Sequence, residues 1–427
     1  MAELPQNWIE TELVNITNLY TGNSINESVK KEKYTNLSEG FNYIATKDIG
    51  YDKSINYKNG IKIPFEETSF KIAPKGSVLL CIEGGSAGRK LAFTNEDVCF
   101  VNKLCAFVSR ISTEHAKFIY YYFQSNDFKA IFNENKNGLI GGVSLNKLKQ
   151  IKIIQPPLNE QKRIVEKLDK MMRIVDNVNA RLDKIPTALK RARQSILNQA
   201  ITGELTKDWR EKNSVKEIWK NCIFNDIAIK LTDGSHNPPP KKNSGYVVIS
   251  AKNIKNNNIV FNDNDRYTDK IGYEKENKRT QIKKGDIILG IIGASIGNIA
   301  MYNSDKKVIA QRSVAIINTS INNEYVYFYM RSSVYQNMLI DRTKGAAQGG
   351  VYLNDLRDIP IVVPPLEEQA EIVRRVKLAF EKLDKIELRY QKAKEYSDKL
   401  TQSILNKAFR GELVPQDPND SPIKIPE

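Results

Sequence analysis

Basic and amide side chains recur beside glycines at several places in this chain. The run GGSAGRK ends in Arg89 and Lys90, and the run NENKNGLIGG holds Lys136 and Asn137. Glycine lets the backbone approach a ligand closely. Arg and Lys bind phosphates and guanine edges, whereas Asn and Gln can form two hydrogen bonds with adenine. Loops of this composition are therefore suited to contact with nucleic acid.

Similar loops occur along the whole chain, and together they define a set of candidate DNA contacts. The set is Arg89, Lys90, Lys103, Lys136, Asn137, Ser235, His236, Lys241, Lys242, Gln311, Arg312, Arg342, Lys344 and Gln348. A solvated loop charge is the simpler interpretation of each residue taken alone. The net charge of +15 and pI near 9.3 fit a polyanionic partner, although a Lys- and Asn-rich composition can arise without one.

No arrangement of residues indicates catalysis. GGSAGRK lacks the Gly-x-x-x-x-Gly-Lys-Ser/Thr spacing of a phosphate-binding loop. The run NPPP approaches the Asn-Pro-Pro-aromatic signature of amino-methyltransferases, but it lacks the aromatic residue that would stack the target base. The cysteines at 81, 99, 105 and 222 show no paired spacing, and only two histidines are present, which favours buried thiols. We expect no catalytic residue, no metal and no cofactor.

Composition predicts a cytoplasmic protein with several packed domains. The apolar fraction is 41% and the charged fraction is 27%. The most apolar run, IILGIIGASIGNIAMY, is interrupted by three glycines and falls short of a membrane span. The N-terminal residues do not resemble a secretory signal, so we expect no membrane association.

A long internal repeat organises the chain. PPLNEQKRIVEKLD (156–169) returns as PPLEEQAEIVRRVK (364–377), and SILNQAITGELT (195–206) returns as SILNKAFRGELV (403–414), both 208 residues later. The offset is constant over about 66 residues, which predicts a regular element whose length matters, because loops tolerate changes of length. Upstream of each copy the similarity is weaker and the offset drifts.

The constant part of each repeat has helical periodicity. Apolar residues recur every three or four positions after each double proline, and such a stripe needs a partner helix. The residues predicted to pack between helices are Val165, Leu168, Met172, Val175, Leu182, Leu189, Val373, Val376, Phe380, Leu383, Tyr390 and Leu400. Pro186 should kink or break the first helix, whereas its counterpart Lys394 imposes nothing similar.

The variable parts predict α+β units. Short β-like runs are separated by glycine-rich turns, and a Tyr- and Phe-rich helix follows them in each half. Its aromatic stripe is more typical of a core than of a base-stacking platform. The predicted segments are a first unit at 1–155, a first helical spacer at 156–211, a second unit at 212–363, and a second helical spacer with the C-terminal tail at 364–427.

The order of these motifs resembles the specificity subunit of type I restriction–modification systems. The resemblance rests on Pro-Pro-Leu-x-Glu-Gln and Ser-Ile-Leu-Asn-x-Ala-x-x-Gly-Glu-Leu, each occurring twice. It implies two target-recognition domains, separated by two long helices that pack as an antiparallel coiled coil with pseudo-twofold symmetry. It further implies a non-catalytic subunit that binds a split site in double-stranded DNA and docks two methyltransferase (modification) subunits. Restriction (ATP-dependent translocase/endonuclease) subunits would join through those partners.

Two other functions are compatible with the residues alone. A protein-interaction scaffold could use duplicated basic domains to bind acidic protein surfaces, but it would show no preference for a DNA sequence. A self-sufficient methyltransferase would have to bind S-adenosylmethionine by itself, and no pattern in the chain predicts that.

Overall fold

The computed structural model describes residues 5–138, 141–215, 218–343 and 349–426. The chain forms two compact units. The first joins residues 1–183 to residues 392–427, and the second comprises residues 184–391. Both combine sheets with helices, so the predicted α+β class is confirmed. Each compact unit therefore includes parts of the predicted helical spacers as well as one variable segment.

The bounds of the regular elements are as follows. The strands are β1 (Ile9–Glu12), β2 (Thr17–Thr21), β3 (Phe41–Ile44), β4 (Lys62–Ile63), β5 (Ile72–Ala73), β6 (Val78–Cys81), β7 (Leu91–Phe93), β8 (Val98–Phe100), β9 (Leu104–Ser109), β10 (Lys152–Gln155), β11 (Lys220–Ile223), β12 (Ala228–Asp233), β13 (Tyr246–Ile249), β14 (Ile254–Lys255), β15 (Asn258–Ile259), β16 (Arg266–Thr268), β17 (Ile287–Gly290), β18 (Ile299–Met301), β19 (Val308–Ala310), β20 (Val314–Thr319) and β21 (Pro360–Val363). The α-helices are α1 (Leu13–Ile16), α2 (Glu27–Lys33), α3 (Thr113–Tyr122), α4 (Asn126–Glu134), α5 (Leu145–Lys149), α6 (Leu158–Leu182), α7 (Ile185–Thr202), α8 (Lys207–Lys212), α9 (Phe224–Ile227), α10 (Lys270–Thr280), α11 (Asn323–Arg331), α12 (Ser333–Asp341), α13 (Leu353–Arg357) and α14 (Leu366–Phe409).

The two units repeat most of one sheet topology, with a second sheet of four strands in the first unit and of three strands in the second. In the first unit, an antiparallel sheet of order β2-β9-β6-β7 accompanies a sheet of order β4-β3-β8-β5, in which β3 and β8 are parallel. In the second unit, β12-β20-β17-β18 accompanies β16-β13-β19, in which β13 and β19 are parallel. The pairs β1-β10 and β11-β21 also correspond. The weak similarity between the variable segments therefore reflects a shared architecture.

The aromatic helices α3 and α11 lie in the cores, as predicted. Phe118 and Tyr122 of α3 are buried, and so are Tyr325 and Tyr329 of α11. Their rings pack edge-on or tilted against other aromatic rings of the same unit, an arrangement typical of core packing.

In the first unit, α6 packs antiparallel to the C-terminal part of α14. Ile164 and Leu405 share one core cluster, while Lys394 Nζ donates to Asp183 Oδ1 at 3.0 Å near the other end of α6. The predicted packing residues Val165, Leu168, Met172 and Val175 are buried, and Leu182 is half-buried. Leu400 departs from the prediction because it is 51% exposed. An α-helix has 3.6 residues per turn, so residues seven positions apart, such as Ser397 and Ile404, lie on nearly the same face. These two side chains face the core, whereas Leu400 lies to one side of that face.

In the second unit, α7 packs antiparallel to the N-terminal part of α14. Leu189, Val373 and Val376 are buried, and Phe380, Leu383 and Tyr390 are half-buried. Arg193 of α7 donates to Asp384 and to Glu387 of α14, at 2.7 Å in each case. These charged side chains flank the apolar contact and favour one register of the helix pair.

The prediction that Pro186 interrupts the first helix is confirmed. Helix α6 ends at Leu182 and α7 begins at Ile185, so Pro186 lies in the first turn of α7, where its missing N–H costs no helical hydrogen bond. The equivalent Lys394 lies within α14, which runs unbroken for 44 residues.

Equivalent tryptophan–glutamate bonds attach the start of each variable segment to a helix. Trp8 Nε1 donates to Glu160 Oε2 at 2.9 Å, and Trp219 Nε1 donates to Glu368 Oε2 at 2.8 Å. Both carboxylates are buried and both lie in the first turn of a helix, where the helix dipole favours negative charge. These glutamates therefore hold the β-rich part of each unit as well as the helix end.

Candidate nucleic-acid interface

In the first unit, backbone hydrogen bonds gather the candidate residues around the glycine-rich segment 83–90. The bonds are Cys81 N to Lys90 O at 2.9 Å, Ile82 N to Lys103 O at 3.0 Å, Val143 N to Ile82 O at 3.0 Å, and Asn137 N to Gly142 O at 3.1 Å. They bring loops that are distant in sequence to one end of the sheet formed by β6 and β9. Five predicted contacts, at positions 89, 90, 103, 136 and 137, therefore belong to one cluster.

An exposed tyrosine lies against two of these cations. The guanidinium carbon of Arg89 is 5.7 Å from the centre of the Tyr51 ring, and Lys90 Nζ is 5.3 Å from it. Tyr51 is 63% exposed, and a bond with Ser86 together with the nearby Arg89 charge lowers the pKa of its hydroxyl. Tyr51 was not among the predicted contacts, because it lies more than thirty positions before GGSAGRK in the sequence.

A basic cavity opens beside the same segment. Its volume is about 600 Å³, and Arg89, Lys129 and Lys136 contribute to its lining. Partial burial lowers the pKa of the Lys129 ammonium. Lys129, which lies on α4, was not among the predicted contacts. The signal that could have identified it is its position seven residues before the predicted contact Lys136. Concentrated positive charge beside a glycine loop is suited to phosphate.

In the second unit, a smaller cavity of about 180 Å³ combines polar and apolar walls. His236 and Arg312 line it together with Ile292 and Tyr352. His236 Nε2 lies 2.6 Å from Asp233 Oδ2, so the carboxylate orients the imidazole ring. Both His236 and Arg312 are exposed, as a contact with DNA requires.

Ser235 and Arg279 both hold the loop that carries His236. Ser235 is only 4% exposed, and its backbone bonds Ala310 O at 2.7 Å and Arg312 N at 3.0 Å. Its backbone therefore positions the loop, and its side chain is buried, so the predicted contact of this side chain with DNA stays a prediction that the burial does not favour. Arg279 donates to the Asp233 carboxylate and to Gly234 O at 3.2 Å. It thus fixes the loop from α10, 46 residues away in sequence, where no local pattern could reveal it.

The remaining predicted contacts have varied surroundings. Lys241 and Lys242 are exposed, and Lys242 Nζ lies 3.3 Å from an Asp269 oxygen. Gln311 is half-buried beside Arg312, whereas Arg342 donates to Met338 O and Asp358 O at the end of α12. Lys344 and Gln348 lie outside the described residues.

Neither a metal centre nor a membrane span is found in the described ranges. No cluster of three or more His, Cys, Asp or Glu side chains that could hold a metal ion occurs among those residues. The helices described there also include none that is long and apolar enough to cross a membrane.

Comparison with known proteins identifies relatives along nearly the whole chain. The family model described as the type I restriction modification DNA specificity domain matches residues 5–187 and again 222–395. The EcoKI type I restriction enzyme specificity subunit of Escherichia coli strain K12 is 28% identical over 440 residues, covering 97% of this chain and 91% of that protein.

Two solved structures share the fold. A chain from a study of complex assembly and conformational transition in a type I restriction–modification system aligns with a TM-score of 0.71 at 17% identity, covering 97% of this chain and all of the other. The HsdS subunit from Thermoanaerobacter tengcongensis aligns with a TM-score of 0.52 at 17% identity, covering 96% and 98%. At such identities the likeness concerns the fold, whereas family membership rests on the two matched domains. The chain belongs to the type I restriction modification DNA specificity family, and it is a specificity subunit with two DNA specificity domains.

Proposed function

We propose that this chain is the non-catalytic, cytoplasmic subunit that reads a split sequence in double-stranded DNA, with one unit for each half-site. The observation that carries the proposal is the repeated sheet topology with different side chains in its loops. One scaffold used twice presents two reading surfaces, and differing loops suit two differing sequences. Chemistry on the DNA would belong to partner subunits that bind S-adenosylmethionine and ATP.

The two cavities with their glycine loops are the proposed reading surfaces. In the first unit, Arg89 and Lys136 would bind phosphate or a guanine edge, and Tyr51 would limit the positions available to Arg89. In the second unit, His236 and Arg312 have the same role. The overall charge of +15 would draw DNA to both surfaces and make binding strongly dependent on salt.

We further propose that the helices dock two methyltransferase subunits, and restriction subunits through them. Large apolar side chains remain exposed on these helices, including Ile174 (65%) on α6 and Tyr396 (71%) on α14 in the first unit. In the second unit, Ile386 (44%) and Leu388 (53%) of α14 are exposed. Because each unit has its own helix pair, two copies of one partner could bind in equivalent ways.

Methylation mapping tests the reading surfaces. The chain would be expressed with its methyltransferase subunits, and modified bases would be mapped by single-molecule sequencing. Arg89→Ala should relax or abolish recognition of one half-site, and Arg312→Ala should do so for the other. Lys307→Ala is the matched control, since exposed Lys307 precedes β19 while Arg312 follows it. A change in both half-sites from one variant, or equal effects of Lys307→Ala, would refute the assignment.

The number of bound partners tests the docking surfaces. We expect two methyltransferase subunits per chain by light scattering, and only one when Ile174→Lys or Ile386→Lys is introduced. Ile229→Lys is the control because Ile229 is 71% exposed and lies on β12, outside α6, α7 and α14. Unchanged stoichiometry in both helix variants would exclude this surface.

A further inference from the structure

Matching hydrogen bonds define two equivalent positions in the two units. Val143 N donates to Ile82 O at 3.0 Å in the first unit, and Val351 N donates to Ile291 O at 2.9 Å in the second. The next residue after Ile82 is Glu83, and the next after Ile291 is Ile292. Ser144 follows Val143 and Tyr352 follows Val351, so Ser144 corresponds to Tyr352.

The side chains at these equivalent positions differ in chemistry. Glu83 and Ser144 are polar and exposed. Ile292 is 37% exposed and Tyr352 is 66% exposed, so neither side chain is placed there by core packing. Large apolar side chains that stay in water beside a binding cavity commonly mark a contact with a ligand. The scaffold is therefore the same in both units, while the chemistry presented at this point changes from polar to apolar.

The surroundings of Ile292 and Tyr352 suit one edge of a DNA base pair. Both side chains line the same cavity as His236, Arg312 and Asp233. Arg279 and Asp233 hold the His236 loop in place. In the major groove the only apolar group of the four bases is the C5 methyl of thymine, which lies beside hydrogen-bonding atoms. A cavity that combines the apolar Ile292 and Tyr352 with the polar His236 and Arg312 matches that combination.

We propose that Ile292 and Tyr352 contact the C5 methyl of a thymine in the half-site read by the second unit, a proposal that rests on the function proposed above. His236 and Arg312 bind polar groups of the same or the adjoining base pair. Ile292 and Tyr352 are thus specificity-determining residues, and Asp233 and Arg279 are positioning residues.

Deoxyuridine substitution tests this contact, because it removes the methyl group and leaves the pairing edge of thymine unchanged. Binding of the assembled complex would be measured on duplexes containing the mapped sequence, with each thymine of both strands in that half-site replaced in turn. We expect one position at which the replacement weakens binding about fivefold, as burial of about one methyl group predicts. The Ile292→Ala/Tyr352→Ala complex should bind the thymine and deoxyuridine duplexes equally at that position.

Two variants serve as controls. Ile271→Ala removes another exposed isoleucine of the second unit, 78% exposed on α10, and Glu83→Ala changes the equivalent position of the first unit. Both complexes should retain the fivefold preference for thymine. Retained preference in the Ile292→Ala/Tyr352→Ala complex, insensitivity of the unaltered complex to every replacement, or a half-site without a T·A pair would overturn the inference. Failure to bind the mapped sequence specifically would instead overturn the proposed function.

Discussion

Replacing Glu368 with glutamine should destabilise the second unit by about 3 kcal/mol. The Glu368 side chain is fully buried. It accepts hydrogen bonds from the Thr206 hydroxyl at 2.6 Å, from the Trp219 indole at 2.8 Å and from the Arg210 guanidinium. Glutamine preserves the shape but removes the negative charge and directs an amide N–H₂ group toward donors. Removing one member of a buried ion pair costs about 3–5 kcal/mol, and the lower value applies because Arg210 is 25% exposed.

The matched control is Glu160→Gln at the equivalent position of the first unit. Glu160 accepts one described bond, from Trp8 at 2.9 Å, and its other oxygen has no partner. Burial raises the pKa of this carboxyl, so the site stabilises its charged form less than water does, and replacement by neutral glutamine costs less there. Since the Trp8 bond can persist, the expected cost is about 1 kcal/mol or less.

Urea denaturation would measure both effects, with tryptophan fluorescence and far-UV circular dichroism followed together. With a slope of about 3 kcal/mol per molar urea, Glu368→Gln should lower the midpoint of one transition by about 1 M. Glu160→Gln should shift its transition by about 0.3 M or less. Equal shifts for the two variants would refute the reasoning, because the two sites differ chiefly in the charged network around Glu368.

Three further predictions concern the helices and one buried histidine. Leu405→Ala should cost about 2–5 kcal/mol in denaturation experiments because Leu405 is fully buried, whereas Leu400→Ala should change stability by less than about 0.5 kcal/mol; equal effects would contradict the assigned helix face. Arg193→Ala should cost about 1 kcal/mol by breaking its two bonds to α14, and Arg191→Ala, at an exposed position, should be neutral. Burial lowers the pKa of His115 to about 4, below the value of about 6.5 in the unfolded chain. The contribution of neutral His115 to the free energy of unfolding is therefore complete above pH ~6.5, and it falls by about 3 kcal/mol as the pH drops to ~4. His115→Gln should flatten this dependence in pH-resolved denaturation, and an unchanged slope would show that His115 is not its source.

The helical part of the fold followed closely from the sequence. The constant 208-residue offset, the double prolines and the three- and four-residue spacing predicted where α6 and α14 begin and which faces they bury. The break at Pro186 was also predictable, because a missing N–H and a fixed φ act locally. Leu400 was misplaced because a small drift between the sequence repeat and the helical turn accumulates along a long helix.

The candidate site was predictable only in part, since loop composition indicates which residue types are present and not which loops meet. Arg89, Lys90 and Lys136 were identified as residues that could bind phosphate, and backbone bonds between distant loops place them around one segment. The burial of Ser235 was not predictable, because it depends on the strand beside it. Tyr51 and Arg279 escaped notice because their partners lie dozens of residues away along the chain.

The sequence by itself determined the duplication, the two α+β units, the helices and the basic character of the loops, because all of these depend on local periodicity and composition. Only the tertiary structure decided which residues share a surface. It also joined the C-terminal part of α14 to the first unit and its N-terminal part to the second. Side-chain chemistry is local, but proximity depends on the packing of segments that lie dozens to hundreds of residues apart. For this reason Ile292 and Tyr352 become candidate base contacts only once Gly350 pairs with Ile292 across their two loops.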